Sequence, residues 1–314
     1  MNKQKQYKNS LNEQISGLVM PIFVSMRPKQ WSKNLLIFFA LLFSVEESWY
    51  ITNWSTVDSM LANSIIAFII FSAISGSIYL INDVIDYRKD SIHPIKSTRP
   101  IASGKLSRRI GIIAGTSILL PGLILSFLLN INFGWIVIGY VILMTSYSIS
   151  LKNFVLIDCF AISAGFVLRA IAGATVVDVP ISLWLYLCTG LGALVIALGK
   201  RRSELSTFGK TAQLQRNSLR SYSMTLIDCA SLLAIISTIV VYVTYTFTAT
   251  NLPNNYLMAL TIPMVIYGLL RYAYLVHVKN LGESPEDLLL SDKHLFGTVT
   301  IWIAVTALIL IIFR

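Results

Sequence analysis

Charge is scarce in this chain of 314 residues: 13% are Asp, Glu, Lys or Arg, against about a quarter in a soluble domain. Together with 55% apolar residues and a mean hydropathy of +0.70, that shortage excludes a soluble globular protein and predicts a polytopic membrane protein. Cysteine is rare as well. Cys159, Cys188 and Cys229 all lie in apolar stretches, so they read as reduced packing residues and offer no disulfide framework. His93, His277 and His294 are too scattered for a metal cluster. Acid is the scarcer sign of charge, with 15 Asp and Glu against 25 Lys and Arg and a net charge of +10. Membrane topology and anion-facing loops account for that excess, which removes the case for a nucleic-acid partner.

What the chain has in quantity is long apolar runs. Eight are long enough to cross about 30 Å of hydrocarbon: Ile65–Ile81, Ile110–Leu129, Phe133–Leu151, Phe154–Val177, Ile181–Gly199, Leu226–Phe247, Tyr256–Val276 and Leu295–Phe313. A ninth, Asn34–Val45, is short, but Pro28 suits the first position of a helix, and a helix from there to Val45 would be roughly 27 Å long. The expected fold is therefore all-α, a bundle of nine transmembrane helices over residues 27–314, preceded by a segment 1–26. The run Ile15–Met26 is broken by Pro21 and followed by Arg27-Pro28-Lys29 with no small-residue cleavage site, so it reads as an interfacial helix leading into the first span.

Orientation follows from the basic residues, which concentrate in cytoplasmic loops. All but two of the 25 fall in the N-terminal segment, in loops 82–109 and 200–220, at Lys152, or in the last loop with Arg271, Lys279 and Lys293. Loop Glu46–Asn63 and the turns at 130–132, 178–180 and 248–255 have none. The exceptions are Arg169, inside a span, and the terminal Arg314. This pattern predicts a cell-membrane protein with a cytoplasmic N-terminus and an external C-terminus.

At the end of the run Ile65–Ile81 stands Asn82-Asp83-x-x-Asp86-x-x-x-Asp90. Acids at i, i+3 and i+7 fall on one stripe of a helix. Such a stripe at a membrane surface suits magnesium, which takes oxygen ligands and is usually held by one or two carboxylates together with substrate phosphates. The motif points to diphosphate chemistry, with Asp83, Asp86 and Asp90 as metal ligands. An isolated acid beside a span is ordinarily a solvated interface residue; three in register, ahead of a basic loop, are not explained that way. The other unusual polar groups gather on the same face: His93 to Pro100, Tyr147 to Lys152 with Asp158, and Lys200 to Glu204. Asp158 and Arg169 are three helical turns apart on one face and should point into the bundle, where Arg169 serves either a structural ion pair or a substrate contact. Asp178, Asp228 and Arg271 read as structural.

Nine spans with this aspartate motif after the second resemble the UbiA superfamily of intramembrane prenyltransferases. Within it, four segments resemble the branch that transfers phosphoribose to decaprenyl phosphate: Arg27 to Asn34, His93 to Gly104, Gly165 to Gly173 continuing to Asp178–Ser182, and Leu198 to Leu205. One departure from the superfamily pattern is informative. The usual second acidic motif after the sixth span is replaced by Lys200-Arg201-Arg202-Ser203-Glu204, which favours an anion where the other members hold a metal.

The resemblance implies transfer of 5-phosphoribose from 5-phosphoribosyl 1-diphosphate to a polyprenyl phosphate, with release of diphosphate. Asn82 would orient the first aspartate or touch the donor; Lys96, Arg99 and Lys152 would bind donor phosphates, and Tyr147 would line the site. Lys200, Arg201 and Arg202, with Lys29 and Lys33 in support, would screen the acceptor phosphate, and Asp158 would stabilise positive charge on the sugar. The alternative is transfer of an isoprenoid from its diphosphate to an aromatic or other lipid-soluble acceptor. A transporter would need charge near the midplane on several spans, and only Arg169 clearly meets that requirement.

Overall fold

The computed structural model describes residues 17–46, 48–50, 53–180, 182–208 and 217–314, and among these the regular elements are all helices, with one isolated bridge between Val45 and Trp49. Residues 17–25 form a leading helix; residues 15 and 16 lie outside the described residues. The helices that follow are α1 (Phe39–Phe43), α2 (Trp54–Ile85), α3 (Tyr87–Asp90), α4 (Arg108–Leu129), α5 (Ile131–Ile149), α6 (Ile157–Val177), α7 (Leu183–Phe208), α8 (Met224–Thr248), α9 (Ile262–His277), α10 (Pro285–Ser291) and α11 (Lys293–Phe313). Eight of the helical stretches are long and apolar enough to cross a membrane. Their outer faces are apolar, as Ile113, Leu120, Ile124 and Leu128 of α4 show, each 60% exposed or more. In lipid such faces need no cover, and every backbone group must be satisfied inside the helix.

The stretch expected as the first span is not among those eight and is not a plain α-helix. Pro28–Phe38 is a 3₁₀ helix running into α1, together about 30 Å long. In a 3₁₀ helix side chains at i and i+3 eclipse, and Asn34 and Ile37, both fully buried, are the pair turned inward. The segment lies so close to α6 that a Cβ on Gly173 would stand 2.1 Å from the Ile37 carbonyl oxygen, so position 173 has room for nothing larger than glycine.

Two other boundaries move. Loop Glu46–Asn63 ends early, because α2 begins at Trp54; Glu47, Ile51 and Thr52 lie outside the described residues. The sixth predicted span does not stop at Gly199, since α7 continues to Phe208 and carries Lys200 to Glu204 on helix instead of loop. Lys210 and Arg216 lie outside the described residues.

Packing of α4 on α2 depends on small residues. A Cβ on Gly115 would meet Ile81 at 3.0 Å and one on Gly122 would meet Ile74 at 2.8 Å, so the two backbones approach as van der Waals packing in lipid requires. One apolar core, including Ile37, Phe71, Ile74, Phe133, Val137 and Ala172, joins the opening segment to α2, α5 and α6. A second, including Val195, Leu198, Ile235, Leu275 and Val276, joins α7, α8 and α9. At the far end of the bundle from Arg27, the Arg314 guanidinium donates to the carbonyls of Phe43 (2.9 Å) and Val45 (3.0 Å). The chain therefore finishes opposite the end where the first span begins.

Candidate active site

Between the two cores lies a cavity of about 300 Å³, walled mainly by the opening segment, α2, α5, α6 and α7. Its mouth is shaped by the loop after α3. Ile101 and Leu106 bury against Leu80, with Leu18 and Ile22 of the leading helix and Met26 just after it packed on them. The His93 Nδ1 accepts from the amides of Ile95 (3.1 Å) and Lys96 (3.3 Å), and Gly104 takes the positive φ of 80° that turns the chain back. This anchoring carries Arg99 over the aspartates.

The aspartate motif does not form one continuous stripe. Helix α2 ends with Asp86 as its C-cap (φ −86°, ψ 4°) before α3 begins, and the carboxylates divide, Asp83 and Asp90 toward Arg99 and Asp86 toward Lys152. Asp83, 2% exposed, pairs with Arg27 and, at 3.2 Å, with Arg99 Nη1. Asp90 takes the same Arg99 nitrogen at 2.6 Å, so one guanidinium bridges the first and last acids. Asp86 receives Lys152 Nζ on both oxygens, at 2.7 and 2.8 Å. Asn82, Asp86 and Asp90 line the cavity, whereas Asp83 sits behind the wall with its Oδ2 buried and unbonded. Among the described residues no three acidic, His or Cys side chains converge as a closed metal cage. Of the three acids expected to hold a metal, two stand on the cavity wall and one behind it.

The opposite flank is built by α7. Successive residues of a helix are about 100° apart, so three consecutive cations cannot share a face. Lys200 and Arg201 line the cavity. Arg202 turns away, donating to Asp228 (2.8 Å), the Val276 carbonyl (3.2 Å) and Asn280 (3.2 Å), and so ties α7 to α8 and α9. The reading of Arg202 as a substrate ligand fails for that reason. Lys29 is likewise off the wall, 81% exposed and 3.3 Å from Asp287, while Lys33 lines the cavity beside Gln30 and Glu286. Lys96, Arg99, Tyr147 and Lys152 all line it as expected.

Asp158 is present at the site but does not face the cavity. It is fully buried: its Oδ2 lies 2.9 Å from Arg201 Nε, and its Oδ1 accepts from the Tyr222 hydroxyl (2.6 Å) and the Cys159 amide (2.9 Å). Asp158 is not part of the cavity wall, and its carboxylate is taken up by Arg201. Glu204 holds the other side of Arg201, and Tyr147 accepts from it at 3.4 Å. Tyr222 escaped notice in the sequence because it lies in an ordinary polar loop. Burial, with Cys159 and Asp158 close by, pushes its phenol far above the usual value, so it stays a donor to Asp158 while accepting from the Leu156 amide at 2.7 Å. Arg27, Tyr79, Ser75 and Tyr140 also line the cavity without having been singled out. Arg27 at least stood in one of the quoted segments; Tyr140 looked like any aromatic in an apolar run.

The membrane-crossing helices thus surround a cavity with acids on one flank and bases on the other, the arrangement that the sequence reading attached to an intramembrane transferase. The match confirms the class: residues 35–291 fit the UbiA prenyltransferase family, and the chain belongs to it. It is 32% identical to the decaprenyl-phosphate phosphoribosyltransferase of Mycolicibacterium smegmatis, over 91% of either chain. It is 31% identical to the enzyme so named from Corynebacterium glutamicum, over 96% of this chain and 88% of that one. Among solved structures, a UbiA homolog from Archaeoglobus fulgidus bound to GPP and Mg2+ superposes with a TM-score of 0.69 at 17% identity, covering 93% of this chain and 99% of that one. The fold is therefore that of UbiA, and the protein is an integral membrane transferase.

Proposed function

We propose that this protein transfers the 5-phosphoribosyl group of 5-phosphoribosyl 1-diphosphate to the phosphate of a polyprenyl phosphate and releases diphosphate. The observation that carries this reading is the division of the cavity wall into a flank bearing Asp86 and Asp90 and a flank bearing Lys200 and Arg201. A donor with a diphosphate and an acceptor with a phosphate need both flanks; a neutral aromatic acceptor would leave the basic one without a task. The similarity to enzymes named for this transfer, over nine-tenths of the chain, points the same way.

The hard oxygen donors Asn82, Asp86 and Asp90 on the wall, and the unbonded Oδ2 of Asp83 behind it, suit magnesium shared with a diphosphate. When bound, the ion would make diphosphate a better leaving group by neutralising its developing charge. The chain's own groups do the rest. Arg99 and Lys152, already seated on the aspartates, would accept the donor phosphates. Lys33 and Lys200 would hold the second phosphate, screening the repulsion between two polyanions, beside a wall that Arg201 shapes while fixed between Asp158 and Glu204. An oxygen of the acceptor phosphate forms the bond to C1 as the C1–O bond to diphosphate breaks and its electron pair leaves with diphosphate. The acceptor is already an anion near neutral pH, so no strong general base is needed. We infer that the cavity opens to the cytosol at the cell membrane, because Lys and Arg crowd its end and the loops opposite have few.

The test is an assay of purified protein with labelled 5-phosphoribosyl 1-diphosphate and polyprenyl phosphate in mixed micelles, with the lipid product identified by mass. A lipid-linked phosphoribose is expected. Prenylation of an aromatic acceptor from a prenyl diphosphate, with no sugar transfer, overturns the reading.

A further inference from the structure

Arg169 is a cation without an acid. It is 4% exposed, three turns along α6 from Asp158 and so about 16 Å deeper in the bundle. Its Nε donates to Asn34 Oδ1 (2.8 Å), its Nη1 to the Gly165 carbonyl (2.7 Å) and its Nη2 to the Tyr140 hydroxyl (2.8 Å). The rings of Tyr140, Phe166 and Phe71 stand 4.8, 5.4 and 5.7 Å from its Cζ. All these partners are neutral, and no carboxylate of the described residues pairs with it. Asn34 is itself fixed, donating to Ser72 Oγ at 3.0 Å. A guanidinium has five N–H groups. Three are spent on the clamp, one is left on each terminal nitrogen, and the residue lines the cavity.

Leaving a guanidinium uncompensated near the middle of a bilayer is expensive, and a merely structural arginine would be expected to bring an acid with it. The nearby cations share this condition. Lys200 lines the same cavity with no ion-pair partner among the described residues, and Lys33 reaches Glu286 only at 3.9 Å. Lys33 lies within electrostatic reach of both Arg169 and Lys200. On the acid flank, by contrast, Arg27, Arg99 and Lys152 are each spent on an aspartate.

We propose that Arg169, with Lys33 and Lys200, forms a phosphate-monoester subsite at the deep end of the cavity, and that the neutral clamp of Asn34 and Tyr140 keeps its charge available for it. Resting on the transfer proposed above, this names the residue that reads the second phosphate. Two sources share the chemistry, the 5-phosphate of the sugar donor and the headgroup of the lipid acceptor.

The decisive variant is Asn34→Asp, which keeps the shape of the clamp, places a carboxylate on Arg169 Nε and cancels its charge without removing it. Its KM for one of the two substrates should rise about 10- to 100-fold, the worth of a charge-assisted contact. A rise for the sugar donor alone assigns the subsite to the 5-phosphate; a rise for the polyprenyl phosphate alone assigns it to the lipid. In parallel, calorimetric titration of the wild type with ribose 5-phosphate, and with a short alkyl phosphate in detergent, should show binding of one, weakened in Asn34→Asp. Arg169→Gln gives the same readouts should Asn34→Asp fail to fold. Unchanged KM values for both substrates in a folded variant, or no binding of either probe to the wild type, overturn the subsite. A wild type that binds a probe, loses it in Asn34→Asp, yet transfers no phosphoribose would sink the transfer reading and leave the subsite standing.

Discussion

The two flanks of the cavity carry similar side chains in opposite electrostatic states. On the aspartate flank every wall carboxylate already has a cation on it, Lys152 on Asp86 and Arg99 on Asp90, so the flank is close to neutral as it stands. On the other flank Arg201 is neutralised by Asp158 and Glu204, while no carboxylate of the described residues pairs with Lys200 or Arg169. Acidic character in the sequence therefore does not translate into a negative surface, nor does a run of three basic residues give three free charges. What distinguishes a group available to a ligand from one that holds the wall is whether its partner is a protein ion. A phosphate can bind the second flank without first displacing a protein anion; on the first it competes with carboxylates unless a metal ion takes them over.

The largest effect expected from breaking this contrast is on the aspartate flank. Asp86→Asn keeps shape and removes the charge facing the cavity, and it should lower turnover by about 100-fold or more, the range for losing one preorganised electrostatic contact. Lys152 is then released, so substrate affinity should change far less than kcat. Steady-state kinetics at saturating magnesium decide it, and near wild-type turnover would remove the metal role. The contrast sharpens on α7. Arg201→Met should destabilise the fold by about 3 kcal/mol or more, because it strands the buried Asp158 carboxylate. Lys200→Met, with no partner to strand, should leave the melting temperature in detergent nearly unchanged and raise a substrate KM about tenfold. Equal stability losses in the two variants would mean that Lys200 is as structural as its neighbour.

Much of this architecture was legible in the sequence because lipid imposes simple rules. Run length gave the spans, and the scarcity of Lys and Arg in loops 130–132 and 178–180 marked one end of the bundle. The site was legible by residue type but not by direction. Asp83, Asp86 and Asp90 read as one stripe only if α2 continues, and Asp86 ends it. Lys200, Arg201 and Arg202 read as a cluster only if they lie in a loop, and α7 carries them round a helix. Asp158 looked available because its partners Arg201 and Tyr222 are distant in the chain. In each case the missing information was a helix boundary or a long-range partner, neither of which a residue spacing encodes.

The smallest effect expected lies outside the cavity and serves as its reference. Asp292 caps α11, accepting from the Leu295 amide at 2.8 Å, and takes Arg271 Nη2 on its other oxygen at 2.7 Å. The hydrogen bond from Arg271 holds this carboxyl below its ordinary value of 3.8. A carboxyl depressed in the folded state contributes stability that is fully present above its unfolded value and is lost as pH falls through the folded one. The melting temperature of Asp292→Asn should therefore fall short of wild type by a constant small margin from pH 8 to about pH 5, and the margin should close below about pH 4. Kinetic constants should not move, because neither Asp292 nor Arg271 lines the cavity. A change in either KM would show that the α10–α11 end, where Pro285 does reach the wall, transmits to the site, and the contrast would then have to be drawn between bundle ends as well as between cavity flanks.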